Sequence, residues 1–129
     1  MQVNSSYLRS SSAIAGLAVI LGALGAHALK SELDSQSLES FNTAVRYQMW
    51  HALALMALAI IHEKFKFSAW VFRLWILGII FFSGSIYALT LDNLIGLNLS
   101  FFGPITPLGG LALIAGWIML AASPLARQS

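Results

Sequence analysis

The sequence predicts an all-α fold, an integral membrane bundle of four helices. Charged residues make up only 9% of the 129 positions, while 58% are hydrophobic. A soluble domain carries roughly 25% charged residues, so a water-facing surface could not be coated here. The apolar residues gather into four stretches, each near the roughly 20 residues that a helix needs to cross a bilayer. The remainder suffices for short loops. The chain therefore reads as a single transmembrane domain over 1–129, with spans at about 11–29, 41–61, 70–91 and 107–122.

The absence of cysteine excludes disulfide, zinc-thiolate and iron–sulfur chemistry. A net charge of +2 gives no sign of a nucleic-acid partner. The partner that composition does imply is the lipid bilayer.

The first span follows Arg9 and a serine-rich start. A signal peptide is the alternative reading, because Ala26-His27-Ala28 resembles an A-x-A cleavage site. Gly16, Gly22 and Gly25, with Ala18 and Ala26, form a small-residue face. Ala18, Gly22 and Ala26 recur every four residues and would let another helix approach closely. A polar loop with Glu32, Asp34 and Glu39 follows. Ser40 or Asn42 is expected to cap the second span.

That span is polar in its first half, with Asn42, Thr43, Arg46, Tyr47, Gln48 and His51. Its second half, 52–61, is purely apolar. A charged loop, 62–66, leads to the third span, where Arg73 can snorkel and Ser83-Gly84-Ser85 and Tyr87 lie late. The loop at 94–102 is apolar and is expected in the membrane interface. Thr106 as cap and Pro107 at the first helical position open the fourth span. Gly109, Gly110 and Gly116 offer close packing along it.

Lys and Arg in short loops mark the cytoplasmic side. The N-terminus, second loop and tail carry Arg9, Lys64, Lys66, Arg73 and Arg127, so both termini are expected in the cytoplasm. His27, Arg46, Tyr47, Gln48, His51, Ser83, Ser85, Tyr87 and Thr106 then fall in the outer half or near the midplane. The expectation is an outward-facing polar pocket that binds lipid or a small ligand.

Ionisable groups inside a membrane span mark functional sites by default. His27 and His51 each begin a His-Ala-Leu triplet. Counting about 1.5 Å per residue, His27 lies near the outer boundary and His51 around 12 Å deeper. That mismatch argues against one haem or metal between them. His51 is read equally as a functional group and as a helix–helix hydrogen bond to Ser83, Ser85 or Tyr87. Arg46 either snorkels, pairs with Glu39 or Asp92, or anchors an anionic group. Trp50, Trp70, Trp75 and Trp117 read as belt or packing residues. No carboxylate lies in a span to orient a catalytic histidine, so no catalytic residue is assigned. No cofactor or metal is expected.

Four runs carry a family resemblance: GALGAHAL at 22–29, TAVRYQMWHALAL at 43–55, FSGSIYAL at 82–89, and GPITPLGG at 103–110 with Gly116 and Trp117. Together, in order, they resemble the small bacterial inner-membrane proteins grouped as domain of unknown function 423. The resemblance implies a four-span protein of the inner (plasma) membrane without an established activity, and it supplies no catalytic residues. Small multidrug exporters of similar size need a carboxylate in the first span, which is absent. Fluoride channels use a Phe- and Thr-rich motif that Phe81-Phe82-Ser83 only partly matches.

The expected function is a non-enzymatic accessory or scaffolding protein, as a homo-oligomer or within a larger membrane complex. One alternative is a transporter or channel for a small solute, ion or proton. Another is a haem-binding or enzymatic membrane protein.

Overall fold

Four helices long and apolar enough to cross a membrane run through the computed structural model, which describes residues 1–126. Helix α1 spans Ser5–Ala26 and begins before its apolar stretch, because the Asn4 side chain accepts the Tyr7 backbone N–H at 3.1 Å. Helix α2 spans Ser35–Ile61. Its cap is Asp34, not Ser40 or Asn42, since the Asp34 carboxylate takes the Ser37 N–H at 2.8 Å and starts the helix earlier. A short 3₁₀ turn, His62–Lys64, continues it.

The third span has three parts: α3 at Ser68–Ile79, a π turn at Ile80–Gly84, and α4 at Ser85–Leu91. The apolar loop contains a 3₁₀ turn, Ser100–Phe102, before α5 at Ile105–Ala122. Thr106 therefore lies inside the first turn instead of capping it. Pro107 follows within that turn, where a missing N–H costs no intrahelical bond.

Helix α2 is central, with α1 along one side and the third span along another; α5 packs on the third span. The α1 seam runs through buried Ser11, Ala18 and Gly25. That spacing of seven is close to two helical turns, so one narrow stripe stays against the partner. At Gly25 a side chain would meet the Phe41 ring at 3.1 Å. Gly22 sits by Val45, whereas Gly16 opens on empty space and Ala26 is exposed. The seam thus departs from the expected Ala18, Gly22, Ala26 stack.

On α5 the buried positions are Gly109, Leu113 and Gly116. Gly109 rests on the backbone of Phe81 and Phe82, and Gly116 on the Trp75 indole. Gly78 of α3 returns the fit by receiving Leu113. Leu55, Leu58, Val71, Trp75, Ile79 and Leu113 make the core cluster.

One end of the bundle is tied by backbone bonds. Asn4 N–H donates to Ala59 O at 2.9 Å, Lys66 N–H to Pro124 O at 3.1 Å, and Ala126 N–H to Lys64 O at 2.8 Å. The N-terminus, second loop and segment 123–126 therefore share one end. Arg127, counted in the charge balance, lies outside the described residues.

Candidate functional site

The apolar second half of α2 meets the core cluster, and its polar first half meets the other helices through hydrogen bonds. Gln48 is buried at the midpoint of α2. Its side-chain N–H donates to the Ile14 carbonyl of α1 at 2.9 Å. Its oxygen accepts the Tyr87 hydroxyl of α4 at 2.7 Å. One carboxamide thereby links three helices. The Ser83 hydroxyl donates to the Ala44 carbonyl of α2 at 2.7 Å. Ser85 hydrogen-bonds Thr106 of α5 and also the Phe81 and Phe82 carbonyls. These carbonyls belong to the π turn, where the helical ladder is irregular, and the Phe82 carbonyl also accepts the Ser85 backbone N–H.

His51 is buried one turn further along α2. Its Nδ1 lies 2.8 Å from the Tyr47 carbonyl, an obligate acceptor. Its Nε2 accepts the Trp117 indole N–H of α5 at 2.9 Å. Those partners assign the neutral tautomer with the proton on Nδ1. The ring also packs edge-on against Trp75, with centroids 6.1 Å apart, and against Trp117 at 5.9 Å. Trp75 and Trp117 stand 4.6 Å apart. Trp75 Nε1 is buried against Gly116, without a hydrogen-bond partner among the described residues.

Of the remaining candidates, two stand apart from this seam, while Tyr47 borders it, its carbonyl taking the His51 Nδ1–H and its ring stacked with the imidazole at 6.3 Å between centroids. His27 is the C-cap of α1 and is exposed. Arg46 is exposed and pairs with Glu39 at 3.3 Å. Tyr47 is half-exposed between Trp50 and Phe82. The structure thus joins Gln48 to Tyr87 and Ser85 to Thr106, gives Ser83 a backbone partner, and gives His51 a tryptophan. It does not bring His27 and Arg46 to them. Among the described residues, no group of three His, Asp or Glu side chains comes together to hold a metal ion. The His51 nitrogen that a haem iron would need is occupied by Trp117.

Cavities lie at the flanks of the bundle among the described residues. One, of about 490 Å³, lies at the tied end between Met1, Glu63, Lys64 and Leu125. Another, of about 330 Å³, lies between α1 and the third span, with Leu17, Leu21, Ile76 and Ile80 in its walls and Gln48 and Tyr87 at its polar spot. The residue types of the seam are visible in the sequence, but its backbone acceptors, Ile14 and Ala44, carry no such signal. Trp117 reads there as a belt or packing residue without its bond to His51, and Gly78 passes unnoticed although it matches the other packing glycines in kind.

The profile of the family described as "Protein of unknown function (DUF423)" matches residues 21–110. A UPF0382 membrane protein of Staphylococcus saprophyticus is 42% identical over 105 residues, covering 81% of this chain and 83% of its own. One of Bacillus subtilis is 40% identical over 110 residues, covering 83% and 85%. One of the yeast Schizosaccharomyces pombe is 41% identical over 102 residues, covering 78% and 86%. No solved structure matches the chain.

Proposed function

This chain belongs to the DUF423 family of membrane proteins, and on that premise we propose that it is a non-enzymatic accessory or scaffolding protein of the membrane. The observation that supports this reading is the use made of the buried polar groups. Gln48, His51, Ser83, Ser85, Tyr87 and Thr106 all bond to a neighbouring helix. Such bonds are worth about 0.6–2 kcal/mol each in membrane helices. They hold a bundle together and leave its faces available for neighbours.

In this reading both termini are cytoplasmic. Arg9, Lys64, Lys66 and Arg73 belong to the tied end and its flanks, and the positive-inside rule puts that end in the cytoplasm. His27 then lies toward the outer surface, and the Arg46 side chain reaches toward it from α2 to pair with Glu39, so exposed donors there can meet lipid headgroups or a partner subunit. The expected small-ligand pocket would open on this rim.

Mild extraction from native membranes, followed by cross-linking and mass spectrometry, tests the proposal. The expected result is a reproducible larger assembly, either of this chain alone or with another membrane protein. A protein that runs alone as a monomer in every mild detergent and lipid nanodisc overturns it. Because the chain has no cysteine, single cysteines introduced at Ser6 and at Ser35 report sidedness by impermeant labelling. The expected pattern is protection of the first and labelling of the second in intact cells.

A further inference from the structure

Helix α1 and the third span both rest on α2, and outside the buried Gln48 they leave a groove between them. The groove of about 330 Å³ lies there. Toward the tied end, beyond the groove, Tyr7 of α1 stacks on Phe72 of α3, with ring centroids 3.9 Å apart. The groove walls pass without a break into the outer surface of the bundle, where Leu17 is 50% and Ile80 56% exposed.

The groove sits at mid-depth of the membrane. Gln48 is the central residue of Ser35–Ile61, Ile79 and Ile80 are central in Ser68–Leu91, and Ile14 and Leu17 flank the centre of Ser5–Ala26. The medium at that depth is hydrocarbon. The polar groups that the groove reaches, the Gln48 carboxamide and the Tyr87 hydroxyl, are already bonded to protein, so water would find little to hold it. The groove runs along the helices, in the direction in which lipid chains lie. From Ile76 to Gly84 it extends about 12 Å across the midplane, enough for the terminal half of an acyl chain that reaches down from one leaflet.

We propose that this groove is a binding site for one acyl chain of a bilayer phospholipid, and that the chain completes the packing of α1 against the third span. The inference rests on the groove of this one chain and does not require the accessory role. Continuity with the lipid-facing surface identifies the occupant, and enclosure on three sides distinguishes it from lipid that merely surrounds the bundle.

Gly84 offers a direct test. Gly84 lines the groove, and a Cβ added there meets no atom within 4 Å, so a larger side chain starts into the groove from open space. The protein is reconstituted with phospholipid carrying a diazirine in mid-chain, photolysed, and mapped by mass spectrometry. Labelling is expected to be several-fold higher at Leu17, Leu21 and Ile80 than at Ile114 and Ile118, which are exposed on α5. Gly84→Leu is expected to cut the groove labelling several-fold. It is also expected to lessen the fall in Tm on delipidation relative to the unsubstituted protein. Equal labelling of groove and α5 positions overturns the proposal. So does a folded Gly84→Leu variant that labels in the groove as before. Should that variant fail to fold, Leu17→Phe narrows the same groove from the other wall and is held to the same criterion.

Discussion

Gly109 and Gly110 are neighbours in sequence, yet replacing each with alanine should have opposite consequences. A Cβ at Gly109 would lie 2.5 Å from the Phe81 carbonyl carbon and 2.7 Å from Phe82 Cα, with Phe82 N closer still. These are backbone atoms and have no rotamer by which to withdraw. Ordinary contact begins at 3.4 Å, so α5 and the π turn must part by about 1 Å. A gap of 0.5–1 Å already forfeits about a quarter to a half of each van der Waals contact along the seam. Overpacking of this kind costs about 1–3 kcal/mol, and a clash between backbones belongs at the upper end. At Gly110 the nearest atoms are in the Phe82 ring, at 3.6 Å. There alanine finds ordinary contact and gains up to about 1 kcal/mol of helix propensity. Unfolding by SDS in mixed micelles, followed by tryptophan fluorescence, measures both. Gly109→Ala should lose stability by about 3 kcal/mol while Gly110→Ala holds or gains. Indistinguishable unfolding curves for the two variants would refute the close backbone approach.

Other substitutions probe the remaining contacts. A double-mutant cycle of His51→Phe and Trp117→Phe, read by the same unfolding assay, should give a coupling of about 0.6–1.7 kcal/mol; strict additivity would mean that the indole N–H does not bond the imidazole. Arg46→Ala should change stability by less than about 1 kcal/mol, because its partner Glu39 is as exposed as it is. That loss should shrink further in high salt. Asp34 answers to pH. Its carboxylate accepts the Ser37 N–H and hydroxyl, which hold its pKa below the ordinary aspartate value. A pKa depressed by folding contributes stability above the unfolded value, and that contribution is lost as pH falls through the folded one. Protection against hydrogen exchange at the start of α2, taken relative to the intrinsic rate at each pH, should therefore fall below roughly pH 4 in the parent protein and stay flat there in Asp34→Ala.

The four spans can be read from sequence because hydrocarbon tolerates few charges, and that constraint acts on every residue of a span. Helix starts are harder to read. Ser40, Asn42 and Asp34 are all competent caps, and only the geometry of the first loop selects Asp34. In the polar seam, the participants are legible and the pairings are not. Gln48 stands out as an amide in a membrane helix, but its acceptor is the main chain of Ile14, which any residue would supply. His51 was expected to find Ser83, Ser85 or Tyr87. It finds Trp117 instead, because the serines are held by Ala44 and Thr106 and the tyrosine by Gln48. The π turn at Ile80–Gly84 is not read from the sequence, which gives a continuous span there, although Gly and Ser pairs accompany such breaks.

The π turn also sets an angular phase. It carries one residue more than the α-helical path it replaces, and each residue turns a helix by about 100°. Before it, Trp75 and Gly78 face α5. After it, Ser85 still reaches α5 while Tyr87 reaches across to α2. The third span is thus a crankshaft, one continuous rod with two offset bearing surfaces. Deleting a residue from Ile80–Gly84 would straighten the rod and swing Tyr87 about 100° from Gln48, although no contacting side chain need be changed. A single-residue length change here rotates half a helix, whereas the same change in the apolar loop at 94–102 only alters its slack.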